Sequence, residues 1–154
     1  MRFEIERRFV ELEKLVLSAS TKGLDEKMAS YLCKLGSVLI CGNLERCVEH
    51  IVIEKVGGSS QPRVSLFLKG YFKAGRNYDC ENIQQLMYKF DSDWGRQFEQ
   101  FIADNERVRE GIDSCYSVRN SIAHGGGQSL GPNALKQYFD ASFTLVAELE
   151  RIVR

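Results

Sequence analysis

Val118-Arg119-Asn120-Ser121-Ile122-Ala123-His124-Gly125-Gly126-Gly127 joins a cation, an amide, a hydroxyl and an imidazole, then stops in three glycines. Upstream of it, Val108, Ile112 and Cys115 recur at helical spacing, and Ile122 continues their row. At ~100° per residue, Arg119 falls in the middle of that apolar stripe. A buried unpaired charge costs several kcal/mol or more, so an arginine there needs a partner or a purpose. Asn120 and His124 are four apart and share a neighbouring face. Glycine readily takes the left-handed conformation that closes a helix, so the helix is expected to end at or just after His124. The imidazole then stands at a helix terminus beside an open loop.

The same period extends outward in both directions. Ile5, Phe9, Leu12 and Val16 predict a first helix over about 3–18, broken by Thr21-Lys22-Gly23. A long second helix is expected over about 25–56. Its first half is built on Met28, Tyr31, Leu32, Leu35, Val38 and Leu39, its second on Cys41, Leu44, Val48, Ile51 and Val52. Glu45 interrupts that second pattern, with apolar neighbours three, four and seven residues away. Gly57-Gly58-Ser59-Ser60-Gln61-Pro62 reads as a loop, and Pro62 suits the first turn of a helix carrying Val64, Leu66, Phe67, Leu68 and Phe72. Gly75-Arg76-Asn77-Tyr78-Asp79 is another break. A short helix through Ile83, Leu86 and Met87 follows it. Asp91 or Asp93 can cap the next helix, which shows Trp94, Phe98, Phe101 and Ile102. The motif helix covers about 105–124. Gly131-Pro132-Asn133 opens a last one with Leu135, Phe139, Val146, Leu149 and Val153 on one face. No segment has the period of a strand. The expectation is an all-α protein, an up-and-down helical bundle with extra short helices, forming a single domain over residues 1–154.

Composition narrows the function classes. The 154 residues are 44% hydrophobic and 27% charged, with a formal net charge of +0, which argues against coating nucleic acid or an anionic membrane by bulk charge. Any polyanion site must be local. No apolar run approaches the ~18 residues of a membrane span, and the N-terminal residues carry acids where a signal or transit peptide avoids them. Five cysteines without a CxxC pair read as reduced thiols in a cytoplasmic protein.

Glu45 and Arg119 are the two charges on apolar rows. If their helices are neighbours they can pair, as part of a site or as a structural ion pair that holds helix register. His124 can take or give a proton near neutral pH. Arginine, asparagine and serine within one and a half turns of it make an anion-binding and proton-transfer cluster. Phosphodiester cleavage in RNA asks for this pair. The imidazole removes the 2′-OH proton or protonates the leaving 5′-oxygen, the guanidinium stabilises charge on phosphorus, and no metal or cofactor is required. General acid and general base are two roles and the motif has one histidine, so a two-fold homodimer is expected. Arg107 and Arg109, otherwise part of a solvated helix face with Glu110, are candidates to bind the RNA substrate. Gly125-Gly126-Gly127-Gln128 lacks the Lys and Ser/Thr of a P-loop and reads as cap and hinge. Cys41, Cys47 and His50 have ligand-like spacing without a fourth ligand, so no metal site is assigned. Phe90, Trp94, Phe98 and Phe101 read as core.

Arg119-Asn120-Ser121-Ile122-Ala123-His124-Gly125 resembles the R-N-x-x-x-H signature of the HEPN superfamily. The wider pattern is similar to its RiboL-PSP-HEPN branch: Leu44-Glu45 on the long second helix, Asn77-Tyr78 before a short helix, and Phe90-Asp91-Ser92-Asp93-Trp94 after it. The resemblance implies a helical bundle that dimerises across the motif helices. It also implies a metal-independent endoribonuclease leaving 2′,3′-cyclic phosphate ends, of the kind used in toxin–antitoxin and anti-phage defence. In that scheme Arg119 and His124 are the catalytic pair, Asn120 orients the phosphate or the histidine, and Glu45 supports Arg119, with Ser121 beside them. An antitoxin or defence-system partner is possible in that setting. Some family toxins carry a tyrosine two residues after the histidine as the target of inactivating nucleotide transfer. That position is Gly126 here, so this control is not carried over. The competing reading is a catalytically inactive HEPN module for dimerisation or for binding a partner or RNA.

Overall fold

The computed structural model describes residues 3–58, 62–73, 75–126 and 129–154. Among them seven helices and no strand are found: α1 (Phe3–Ala19), α2 (Glu26–Gly58), α3 (Pro62–Phe72), α4 (Cys80–Phe90), α5 (Ser92–Asp104), α6 (Glu106–Ala123) and α7 (Pro132–Val153). The chain is all-α, as the 3.6-residue period requires.

The long helix α2 is central and packs on α1, α3, α6 and α7. Cys33, Ile40, Cys41, Leu44, Cys47, Val48, Ile51 and Val52 form its buried side. They meet Ile5, Phe9, Leu12 and Val16 of α1, and Leu135, Leu145, Val146 and Leu149 of α7, in one core. Burying a Leu- or Ile-sized side chain contributes about 1.5–3 kcal/mol. Short α4 and α5 form a hairpin turned by Asp91. This residue closes α4 and caps α5, where its carboxylate accepts from the backbone N–H groups of Asp93 and Trp94. Phe98 is fully buried, and Phe90, Trp94 and Phe101 pack partly buried around the same core, as their spacing predicts.

Two expectations need correction. Gly57 and Gly58 continue α2 instead of opening a loop, and Ser59, Ser60 and Gln61 lie outside the described residues. The first half of α2 does not bury the stripe its sequence suggests. Met28, Tyr31, Leu35, Val38 and Leu39 are exposed, and the packed positions there are Cys33, Gly36, Ser37 and Ile40. The helix turns its small residues inward and leaves five large apolar ones exposed among the described residues. No helix among the described residues is long and apolar enough to cross a membrane.

Candidate functional site

Helix α6 carries the motif against α2. Cys41 and Cys115 bring their sulfurs within 3.6 Å, and Cys115 also reaches the Ser37 carbonyl. At the next residue, the buried Tyr116 hydroxyl donates to the Cys41 carbonyl at 3.5 Å, and the backbone of Tyr78 lies beside it. That approach brings the break between α3 and α4 against the helix pair. Tyr78 is itself buried, Cys80 N–H donates to Asp113 Oδ1 at 3.3 Å, and Asp79 caps α4 through Asn82 N–H. The residues that follow Asn77 are therefore pinned, and Arg76 before it donates to the Tyr71 hydroxyl at 3.2 Å.

Arg119 follows Tyr116 by one turn of α6 and reaches into this corner. Its Nη1 donates to Asn77 Oδ1 at 2.8 Å and to Asn120 Oδ1 at 3.1 Å. Nη2 stands 3.7 Å from Glu45 Oε1, close enough for Coulomb attraction and too far for a hydrogen bond. Glu45 Oε1 is buried and accepts no hydrogen bond among the described residues. Burial pushes the Glu45 carboxyl above the usual range, Arg119 pulls it back, and Glu49 adds to the rise. The expected pairing of Glu45 with Arg119 is present, but as a loose contact and not a bidentate one. Arg119 is also less enclosed than its place in the stripe suggests, with 33% of its side chain exposed against 21% for Glu45. Two amide oxygens occupy Nη1, and among the described residues nothing accepts from Nη2 or Nε within hydrogen-bond distance. An anchored guanidinium with donors to spare can take a phosphate.

His124 closes α6 as its C-cap, its backbone N–H donating to the Asn120 carbonyl. Gly125 follows with φ +76°, in the left-handed region. Gly125 N–H then bonds to the Ile122 carbonyl at 3.1 Å and Gly126 N–H to the Ser121 carbonyl at 2.7 Å, the paired bonds of a Schellman cap. The helix thus ends where the glycines predict, and the exposed imidazole has no side-chain partner among the described residues. Gly127 and Gln128 lie outside them. Ser121 is partly buried against this cap. A Cβ on Gly126 would overlap Ser121 Oγ and stand 2.8 Å from the Ser121 carbonyl oxygen, so this position accepts no larger residue without opening the turn.

The chain brings Glu45, Asn77, Arg119 and Asn120 into contact, with His124 one and a half turns along α6. It does not bring Arg107 and Arg109 there. They precede Arg119 by about 18 and 15 Å along the helix axis. Arg109 pairs with Asp113 at 3.8 Å, and Arg107 lines a groove between α6 and α7 with Gly111, Gln137 and Thr144. Asn77 is the contact that residue-by-residue reading overlooks. It sits in a Gly-Arg-Asn-Tyr-Asp break and reads as a turn former; the available signal is its place between a cation and a buried aromatic. Cys41 and Cys47 are buried while His50 faces Glu54 at 3.3 Å. No group of three or more potential metal ligands occurs among the described residues.

With this geometry in place, comparison with known families is decisive over nearly the whole chain. The model of the RiboL-PSP-HEPN family matches residues 4–154. The chain belongs to the RiboL-PSP-HEPN family. Neither the curated proteins nor the solved structures provide a match. HEPN proteins are all-α and generally ribonucleases or otherwise linked to RNA, and in this chain Arg119 and His124 lie in the last turns of α6.

Proposed function

We propose that this HEPN chain is a metal-independent endoribonuclease that cleaves RNA by 2′-OH transesterification, with a homodimer as the working unit. The observation that carries this reading is the state of Arg119. One of its nitrogens is held by two amide oxygens and its remaining donors are open, on the helix that ends five residues later at the exposed His124.

In this mechanism the Arg119 guanidinium binds the scissile phosphate and stabilises the charge that develops on phosphorus. Asn77 and Asn120 fix its direction, and Glu45 supplies a negative field behind it. One His124 takes the proton of the 2′-hydroxyl. The 2′-oxygen attacks phosphorus, the bond from phosphorus to the 5′-oxygen breaks, and a protonated His124 from the second copy gives that oxygen its proton. The products are a 2′,3′-cyclic phosphate and a free 5′-hydroxyl, with no cofactor taking part.

The exposed stripe Met28, Tyr31, Leu35, Val38 and Leu39 supports a homodimer, because large unpartnered apolar faces mark association surfaces. Five buried free cysteines fit a reducing, cytoplasmic setting. Cellular RNA is then the substrate, and a toxin or anti-phage role, with an antitoxin or defence partner, follows from uncontrolled cleavage being harmful. The same apolar stripe also favours a second reading, an inactive HEPN module that dimerises or binds a partner. Expression in a bacterial host separates the two. The ribonuclease reading expects growth arrest that His124→Ala abolishes at equal protein level; equal growth with both chains supports the module.

A further inference from the structure

The neutral chain hides a strongly biased segment. From residue 55 to 78 it carries five cations, Lys55, Arg63, Lys69, Lys73 and Arg76, and no carboxylate. Helix α3 lies within this segment and packs only on α2 among the described elements, through Leu68 and Phe72. Most of its surface is therefore open. Leu66 and Phe67 are its most exposed large side chains, at 74% and 69%.

The arrangement on that surface is ordered. Arg63, Phe67 and Tyr71 are four residues apart and form one row along α3. The Phe67 and Tyr71 ring centroids are 6.5 Å apart and tilted by 32°. The Arg76 guanidinium lies over the Tyr71 ring, 4.8 Å from its centroid, and its Nη1 donates to the Tyr71 hydroxyl at 3.2 Å. The next residue is Asn77, whose amide oxygen receives Arg119. A line of alternating cations and aromatic faces thus starts in solvent on α3 and ends at the guanidinium of the site. Glu45 and Glu49 stand at the site end of it, where Arg119 and Arg46 face them.

We propose that the row Arg63–Phe67–Tyr71–Arg76 binds the unpaired nucleotides of a single-stranded RNA and leads that strand to Arg119. Aromatic faces take bases of any sequence by stacking, and flanking cations follow the backbone. Here Phe67 offers a free ring face, Arg76 stacks on Tyr71 as a cation beside a base would, and Arg63, Lys69 and Lys73 supply phosphate contacts. Continuity with Arg119 favours RNA over an anionic membrane as the occupant. The identity of the ligand rests on the ribonuclease reading; the surface itself stands on geometry and charge.

Binding without turnover tests it. The full chain carrying His124→Ala is titrated into a fluorescently labelled single-stranded oligoadenylate, and anisotropy is read at several salt concentrations. Adding Phe67→Ala is expected to weaken binding about tenfold at unchanged thermal midpoint, with Phe67→Trp restoring it. Adding Arg63→Ala is expected to reduce the slope of log affinity against log salt by about 0.7. A blunt duplex of the same strand is expected to bind without dependence on Phe67. Single-strand affinity that is unchanged by both substitutions overturns the proposal. So does Phe67-dependent binding to phosphatidylserine vesicles in place of RNA. Phe67-dependent binding by a native chain that never cleaves leaves the platform standing and removes the ribonuclease reading. Cleavage indifferent to Phe67 and Arg63 does the reverse.

Discussion

Arg119 and Asn77 lie 42 residues apart in sequence and meet across 2.8 Å, the guanidinium donating to an amide oxygen held in a pinned turn. This contact fixes an arginine on one helix by a residue from outside that helix. Its direction therefore depends on the fold and not on α6 alone. Asn77→Ala is expected to lower kcat/KM by about 10- to 100-fold, the range of one charge-assisted hydrogen bond. Thermal stability should change little, because Asn77 is only partly buried. Asn77→Asp should lower activity as well, since a carboxylate there competes with phosphate for Arg119. Steady-state kinetics beside a melting curve checks both.

Glu45 gives a pH-dependent signature. Burial lifts its carboxyl above the ordinary value of 4.5, so the folded state holds that proton more tightly than the unfolded chain. The stability this gives is complete below 4.5 and is lost as pH rises through the higher folded value. Glu45→Gln should thus be as stable as the native chain or more so at neutral pH. It should also flatten the fall in urea midpoint as pH rises above 4.5. Activity is expected to drop, because the field behind Arg119 is gone. A lower urea midpoint for Glu45→Gln at pH 7 would assign the residue to structure and not to the site.

The glycine cap gives a separate test of the helix end. Gly125 has φ +76°, so Gly125→Ala should cost about 1 kcal/mol, or roughly 2–4 °C in thermal midpoint for a chain of this size. Gly126→Ala forces Cβ into Ser121 and should shift His124 with the opened turn. Loss of activity beyond the loss of stability is the expected result for Gly126→Ala, read by comparing both measurements on one preparation.

The cysteines should be inert in the native chain. All five are buried, and burial pushes the Cys33 and Cys80 thiols up and Cys47 to about 12. A thiol-reactive dye at pH 8 should label none of them rapidly and all five after denaturation. Rapid native labelling of Cys41 or Cys115 would mean that α2 and α6 separate easily at their crossing.

How much of this was legible in the sequence follows from the physics of each residue. Helix period, Asp91 as a cap, Pro62 in a first turn and the glycine stop after His124 are local signals, and each element appears where they place it. The Glu45–Arg119 pairing was readable because each charge breaks an apolar row. Its looseness was not, since contact distance depends on how α2 and α6 cross. The resemblance singled out Asn77-Tyr78, but the contact with Arg119 was hidden, because a turn asparagine looks the same whether or not an arginine reaches it. The first half of α2 misled for a related reason. Apolar spacing marks a face that seeks cover, and says nothing about whether the same chain provides it.

The central claim is tested most directly by incubating purified chain with single-stranded RNA in EDTA and determining the chemistry of the new ends. The native chain, His124→Ala and Arg119→Ala are purified identically and compared. The account predicts 2′,3′-cyclic phosphate and 5′-hydroxyl ends from the native chain, with both variants reduced at least a hundredfold. Equal cleavage by all three, or none by the native chain, would contradict it.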